Sequence, residues 1–473
     1  MKTETNASPG NDGELVRVTA IKVTKLFGIY THFVQLKGDR VTVIHGPNGV
    51  GKTVFLKLVN AFFHGRYSEF ARLHFDSFEI LFSDQSSAKL LSILLENSKK
   101  GDRATLPRAF QLIFTKSDGS TQESVLEGEI LDASRLAATI ASEVPYVSQL
   151  GPDQWIDRRT DEVFSDDEVV DRYAESIPPK LRNKLSSKEP SALRLLRNKT
   201  KSHFIEAQRL IRLAPQGPDW RYRASGPERM VVETVREYST DLKRRVEQTL
   251  TAYAKQSQKL DQSFPQRLIE GASPPLPLAM LKAQMADVES ARARLKKIGL
   301  LEGDDSAQYP FQTSQLDGLQ ENQIFVMSVY ASDTRAKLAV LDDLALRIEI
   351  LLNIVNRKFT NKKIRVSRES GLLVHGADGG KIPLTSLSSG EQHEIVLLYD
   401  LLFKVSKNTL VLIDEPELSL HVTWQKNFME DLLEIIHIAK FDALIATHSP
   451  YIVGDRSDLM VVLSSEASAI TPQ

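Results

Sequence analysis

The chain has 473 residues, 41% hydrophobic and 26% charged, which is enough to bury a substantial core in two or three structural units. No window approaches the roughly 18 consecutive apolar residues of a spanning helix, and Met1 to Glu14 is polar rather than signal-like, so a cytoplasmic protein with no membrane contact is expected. The absence of cysteine excludes disulfides, thiol catalysis and cysteine-ligated metals, while a formal net charge of -1 conceals ten Lys/Arg between Lys180 and Arg212 against only Glu189 and Glu206.

Residues 1–13 are expected to be disordered. Over 14–226 the pattern is that of the first half of an α/β nucleotide domain. Leu15–Val23 and Phe33–Leu36 alternate like strands, Val41–Ile44 is a short buried strand, and a helix follows from Lys52 to about Phe63. Strand patterns recur at Phe75–Phe82 and at Ala109–Thr115, which turns through Ser117, Asp118 and Gly119. Lys201 to Gln208 reads as a further strand.

Between 227 and 358 the period changes. Val231, Val235, Tyr238, Leu242, Val246, Leu250 and Tyr253 fall three or four apart, as on one face of a long helix. A Pro-rich break at Ser273–Pro277 precedes a second helix, about Leu278–Ile298, and a third carries Leu338, Leu341, Ile348, Leu352 and Val355. These form an inserted, coiled-coil-like helical arm, whose first helix would reach on the order of 50 Å. Residues 359–473 return to α/β character, with a hairpin from Lys363–Val366 and Gly371–His375, a turn at Ala377–Gly380, and a helix over Glu391–Phe403.

Chemistry enters first at Gly46-Pro47-Asn48-Gly49-Val50-Gly51-Lys52-Thr53, a G-x-x-x-x-G-K-[ST] pattern between a short apolar strand and a helix. Glycines let backbone N–H groups converge on phosphates, Lys52 reaches the β and γ oxygens of ATP, and the Thr53 hydroxyl binds Mg2+. His45, just before the loop, reads as structural. A second site marker is the apolar strand Thr409–Ile413 ending in Asp414 and Glu415. Successive side chains point to opposite faces, so the two acids take different roles. Asp414 suits the Mg2+ shell, and Glu415 would polarise the attacking water.

Leu387-Ser388-Ser389-Gly390-Glu391-Gln392 opens a helix, and on its own it is equally a serine N-cap with a glutamate nearby. Ala443–Ala446 reads as another buried strand, followed by Thr447-His448-Ser449-Pro450. The order of phosphate loop, L-S-x-G-[QE] segment, carboxylates and histidine resembles that of ABC-type ATPases. The resemblance implies an ABC-type P-loop head built from two sequence halves. Ser388, Ser389, Gly390 and Glu391 would bind the γ-phosphate held by an opposite subunit, giving an ATP-dependent dimer or higher homo-oligomer. His448 would be the switch that contacts the γ-phosphate. Glu417-Leu418-Ser419-Leu420-His421 occupies the place of the loop that crosses the dimer interface, though Leu418 and Leu420 read equally as packing residues. The glutamine that senses Mg2+ is assigned to Gln208, with Gln149 as its rival; a solvated polar role accounts for either.

The separation from Thr53 to Ser388 is far longer than in ABC transporter subunits. With Asp414-Glu415-Pro416-Glu417, Ser419-Leu420-His421 and Trp424-Gln425, the chain resembles the RecF, SMC and overlong-lysogenisation (OLD) nuclease branch. OLD nucleases continue into a metal-dependent Toprim nuclease; here one short strand and a tail lead from His448 to Gln473, so no nuclease domain is expected. Stand-alone ATPases of this kind resemble subunits of anti-phage systems such as Septu and PARIS. That resemblance implies an ATP-driven switch controlling a separate effector, a nuclease. A DNA-repair clamp is the alternative, with Lys180, Arg182, Lys184, Arg194, Arg197 and Lys199 as DNA contacts, against a charge run that merely pairs with the acidic stretch Asp157–Asp171. A soluble subunit of a membrane permease is a third reading.

Overall fold

The computed structural model describes residues 16–93, 109–126, 133–144, 146–151, 154–158, 162–166, 169, 173, 189–207, 209, 211–213, 231–270, 276–301, 316, 318–418 and 420–463. Two compact units result, one drawn from residues 1–208, 213–231 and 405–473, the other from 209–212 and 232–404.

The first unit is built on a five-stranded sheet with the spatial order Lys201–Ile205, Thr409–Asp414, Asp442–Thr447, Val41–His45, Met460–Val462. Every neighbouring pair is parallel. Thr409–Asp414 and Asp442–Thr447 are buried at all six positions each, which is why they read as unbroken apolar runs rather than alternating ones. The helix Lys52–His64 is buried on most of its surface, at Phe55, Leu56, Leu58, Val59, Ala61, Phe62 and Phe63. Such a helix must be covered from both sides. It packs on the parallel sheet, and Phe62 meets Phe78 of a second sheet with ring centroids 5.6 Å apart. That second sheet is antiparallel and six-stranded, in the order Tyr30–Gln35, Val18–Leu26, Ser77–Phe82, Ser87–Ile93, Ala109–Thr115, Thr121–Leu126. Its strand Ser77–Phe82 alternates buried and half-buried positions, matching the period of two in the sequence.

The unit also holds a small sheet, Val147–Gly151, Gln154–Asp157 and Glu162–Ser165, with the helix Ala133–Glu143. Ala137, Ile140, Val144, Val147, Trp155, Phe164, Val169 and Tyr173 form its separate core.

Among its described residues the second unit contains four long helices: Thr234–Glu270, Leu278–Lys297, Glu321–Ala339 and Asp342–Lys358. At roughly 1.5 Å per residue the first, with 37 residues, is about 55 Å long. Its buried residues stop at Val246; beyond them, Arg267 pairs with Asp333 and Lys337 with Asp261, tying its far end to Glu321–Ala339. Where one helix was expected through Leu338 and Leu341, two occur, because Asp342 and Asp343 supply the negative first turn of a new one. The unit continues past residue 358 to Lys404, taking in the hairpin Lys362–Ser367 with Gly371–Gly376 and the helix Ser389–Tyr399. Those elements therefore group with the helices, not with the phosphate sheet as the expected division at 358 had them.

Polar groups specify how these pieces lock. Asp241 accepts from Arg245 at 2.9 Å and Tyr399 at 2.8 Å, and also meets Arg244 and Lys404. Burial works against its charge, yet these bonds hold its carboxyl well below the usual range. Lys358 and Glu394 form an ion pair whose side chains are each 2% exposed. Because a buried charge without its partner is far more costly than a pair absent altogether, Lys358→Met should destabilise the second unit by about 3–5 kcal/mol. Adding Glu394→Leu should return much of that loss in urea unfolding. A double variant as unstable as the sum of the two singles would show the pair to be uncoupled.

Candidate functional site

The phosphate loop leaves the carboxyl end of Val41–His45 and enters the helix at Lys52. Two glycines are required by the geometry. A Cβ on Gly46 would lie 2.9 Å from the Leu463 carbonyl oxygen. Gly51 has φ +90°, and a Cβ there would lie 2.9 Å from Leu26 Cδ2 and 3.0 Å from Phe27 Cε2. Lys52 is buried and its Nζ donates to the carbonyls of Gly46 at 2.8 Å and Pro47 at 3.2 Å, so it lies inside the loop it serves.

The loop has a prop that the sequence did not reveal. His32, 2% exposed, sits with Nε2 2.8 Å from the Val50 carbonyl oxygen, its ring stacked on Tyr30 and edge-on to Phe55. Burial lowers its pKa, which favours the neutral ring donating Nε2–H to Val50. Its only sequence signal is a histidine at a buried position of an alternating strand.

Across the sheet, the strand ends are level. Asp414 pairs with Ala446, and Ala446 with Ile44. Thr53 Oγ1 consequently donates to Asp414 Oδ1 at 3.0 Å, from residues 361 positions apart. The Asp414 carboxyl is pushed above its ordinary range, first by burial and then by the charges of Glu415 and Glu417, against the lowering effects of Thr53 and Lys57. A hydroxyl beside a carboxylate, with two further carboxylates close by, fits a hard divalent cation. Thr53 and Asp414 would hold Mg2+, which would supply charge to phosphate oxygens. Among the described residues no group of three or more His, Cys, Asp or Glu is arranged to hold a metal.

Glu415 leaves the strand in the left-handed region at φ 42°, a conformation costing a non-glycine residue about 1–3 kcal/mol. Its N–H donates to Ala446 O at 2.8 Å, which holds it there. His448 Nδ1 lies 3.5 Å from Glu415 Oε1 and 3.3 Å from Glu417 Oε1, with the histidine side chain 48% exposed. A partly exposed carboxylate and imidazole thus stand beside a Lys/Thr/Asp phosphate and metal cradle, an arrangement able to orient a water toward a terminal phosphate.

The structure therefore brings Gly46–Thr53, Asp414, Glu415 and His448 together in the first unit. Ser388, Ser389, Gly390 and Glu391 belong to the second. There Ser388 caps the helix Ser389–Tyr399, its Oγ accepting from Glu391 N at 3.4 Å while Glu391 Oε2 accepts from Ser388 N at 2.9 Å. Glu391 is 9% exposed and also accepts from Lys362 Nζ at 2.8 Å and 2.9 Å. Gln208 lies outside the described residues; the strand before it runs beside the carboxylate strand, Ile205 level with Ile413. Gln149 is exposed on the small sheet. In the loop after the carboxylates Leu420 is buried and Leu418 exposed, while Ser419 lies outside the described residues.

One expected DNA contact is overturned. Arg197 is buried, bonded to Glu189 at 2.7 Å and Tyr67 at 2.6 Å, with its guanidinium 4.5 Å above the Phe62 ring. It braces the phosphate-loop helix. Lys180, Arg182 and Lys184 lie outside the described residues.

Residues 180–454, more than half of the chain, match the protein family described as "AAA domain, putative AbiEii toxin, Type IV TA system". The chain belongs to this AAA family. The matched stretch contains Ser388–Glu391, Asp414, Glu415 and His448, while the phosphate loop at 46–53 precedes it. No curated protein matches the sequence. Among solved structures the chain is similar to the Smc head domain with an extended coiled coil bound to the C-terminal domain of ScpA from Pyrococcus furiosus. The identity is 13% over 95% of this chain and 94% of that one, with a TM-score of 0.33. The SMC head domain from Thermotoga maritima is 11% identical over 93% and 92%, with a TM-score of 0.30. An AAA-type ATPase is what family membership and the cradle give together. Among the described residues no helix is long and apolar enough to cross a membrane.

Burial also lowers the pKa of His393, which is bonded through Nδ1 to Ser389 O. For His32 and His393 the unfolded chain then binds protons more readily than the folded one, so stability is intact above the ordinary value of 6.5 and is lost as pH falls below it. The melting temperature should drop between pH 7.5 and 5.5. His32→Gln and His393→Gln should each flatten that slope; an unchanged slope in the double variant would assign the effect elsewhere. Separately, Gly51→Ala should abolish nucleotide binding measured by a fluorescent ATP analogue, since it meets both strain and a clash.

Proposed function

We propose that the protein is an ABC-type ATPase that dimerises on ATP and acts as a switch controlling a separate effector, probed most directly through its hydrolysis. The observation that carries the reading is the contact of Thr53 with Asp414 at 3.0 Å, with Glu415 and His448 at the same sheet edge. Lys52 and the loop amides bind the phosphates, Thr53 and Asp414 hold Mg2+, Glu415 orients the water, and His448 meets the γ-phosphate. Gln208, following the strand beside Asp414, is the proposed Mg2+ sensor. Ser388 and Gly390 act on the phosphate bound by a second copy, an assignment supported by their position at a helix N-terminus, where backbone N–H groups lack helical partners. The effector is proposed to be a nuclease in anti-phage defence. The family description, "putative AbiEii toxin, Type IV TA system", speaks for a two-component setting and names no effector.

Glu415→Gln should retain ATP binding and lose ATP turnover by about 100-fold or more. With ATP and Mg2+ it should accumulate as a dimer in sedimentation, and Ser388→Arg in that background should return it to monomer. Turnover undiminished in Glu415→Gln removes the catalytic assignment. Dimers persisting with Ser388→Arg remove the trans arrangement.

A second reading, an ATPase that binds DNA, has one observation in its favour. A cavity of about 690 Å³ in the second unit is lined by Lys296, Lys297, Lys363 and Arg365, with Glu349 already paired to Arg294 at 2.8 Å. Duplex binding through this surface should weaken steeply with salt, and charge reversal of Lys296 and Lys363 should reduce the slope. No binding at 25 mM-scale ionic strength, roughly where screening is weak, would eliminate it.

A further inference from the structure

The acidic residue left without a task in the ATPase mechanism is Glu417. It lies two residues beyond Glu415, and its side chain is only 5% exposed. Carboxylates are rarely buried without several partners. Here one oxygen takes them all: Oε1 accepts from Thr447 Oγ1 at 2.6 Å, His448 N at 3.0 Å and Ser449 N at 3.2 Å. The same oxygen stands 3.3 Å from His448 Nδ1. Oε2 is buried with no hydrogen-bond partner among the described residues. A second tie runs in parallel. Gln425, on the helix Val422–Ala439, accepts from Ser449 Oγ at 2.9 Å through Oε1 and donates to Leu420 O at 3.0 Å through Nε2.

These bonds decide where the histidine goes. Thr447 ends its strand and Pro450 begins the next short helix, so the backbone of 447–449 must turn at His448. Its N–H groups at 448 and 449 have lost their strand partners, and Thr447 and Ser449 are too buried for water to replace them. Glu417, from the very loop that carries Glu415, supplies the acceptor for His448 N and shares Ser449 N with Thr447 Oγ1, itself 3.0 Å from that N–H and held by the same carboxylate oxygen. The catalytic carboxylate and the histidine are thereby held to one rigid corner, at 3.5 Å from each other.

We propose that Glu417 is a positioning residue for ATP hydrolysis: through Oε1 it fixes the turn at Thr447–Ser449 and so sets His448 against Glu415. The proposal rests on the reading of His448 as the residue that meets the γ-phosphate. Reach, not charge, is what the role demands, because all three donors converge on a single oxygen. Gln offers an oxygen at the same reach without charge; Asp keeps the charge and withdraws the oxygen by one methylene.

The test is steady-state ATP turnover of the full chain carrying Glu417→Ala, Glu417→Gln, Glu417→Asp and His448→Ala, and the Glu417→Ala/His448→Ala double variant. Misplacement of a reacting group by about 1 Å can cost on the order of 100-fold. Glu417→Ala and Glu417→Asp should therefore lower kcat about 10- to 100-fold with KM for ATP changed less than about 3-fold, while Glu417→Gln stays within about 3-fold of the parent. The double variant should be no slower than His448→Ala, since the two act through one group. Retention in Asp with loss in Gln, or a double variant whose loss is the product of the singles, overturns the proposal. Should Glu417→Ala fail to fold, the contrast between Gln and Asp decides by itself. If His448→Ala leaves kcat unchanged, the underlying reading of the histidine has failed, an outcome distinct from a deleterious His448→Ala beside a harmless Glu417→Ala, which sinks only the positioning role.

Discussion

Strand register is the constraint on which the site depends. Asp414, Ala446 and Ile44 stand in one row across three parallel strands, and the phosphate loop, the carboxylates and the histidine segment each begin within two residues of that row. A slip of one residue would advance a strand by about 3.3 Å and turn its side chains to the opposite face. Thr53 would then lose Asp414. The register is pinned at both ends of the strands: at the carboxyl end by Glu415 N to Ala446 O and Leu463 N to His45 O, and at the amino end by Ala443 N to Arg40 O at 2.7 Å and Asn408 N to Lys440 O at 3.0 Å. Arg17, at the start of the antiparallel sheet, also bonds Asp442 of the parallel sheet at 2.9 Å, so opposite ends of the chain are tied together where the two sheets meet.

With the row fixed, the period of the strand sorts three acids into three jobs. Asp414 is the last residue of the strand and faces Thr53. Glu415 would point to the opposite face if the strand went on, but its left-handed backbone turns it aside. Glu417, after Pro416, turns back toward the neighbouring strand end and satisfies its N–H groups. Three carboxylates within four positions would repel one another on a flat strand. Their separation by backbone geometry, together with donors from Thr53, Thr447 and the 448–449 amides, is what allows them to share one corner.

What was legible in the sequence was local. The phosphate loop and the Asp414–Glu415 strand end could be read because strand, turn and helix signals abut within a dozen residues, and their chemistry follows from residue type. The long helix ending at Glu270 was legible by its period of three to four. Grouping was not legible: the hairpin from Lys362 and the helix from Ser389 read as α/β, yet they pack with the helices through Tyr399, Asp241 and the Lys358–Glu394 pair, contacts spanning tens to more than a hundred positions. Arg197 shows the same limit for charge. In a run of ten basic residues it looks like a surface cation, and only Glu189, Tyr67 and the Phe62 ring, two of them far off in sequence, make it a core residue. The small sheet at 147–165 was missed because strands of four or five residues leave too few alternations to count.

The helix that opens at Ser389 presents a tension that its own contacts resolve. A capping box and a phosphate compete for the same amides, since both use the N–H groups of the first turn. Here the cap is uneven: Ser388 Oγ accepts from Glu391 N at 3.4 Å, near the limit of a hydrogen bond, whereas the glutamate is held firmly by Lys362 and by Ser388 N. Lys362 also neutralises the one acid in that turn, which would otherwise repel a phosphate. A segment that looks from its sequence like an ordinary N-cap is therefore built with a weak serine bond and a neutralised glutamate. That is the arrangement required if Ser388 is to exchange its cap for a phosphate oxygen while the helix keeps its shape.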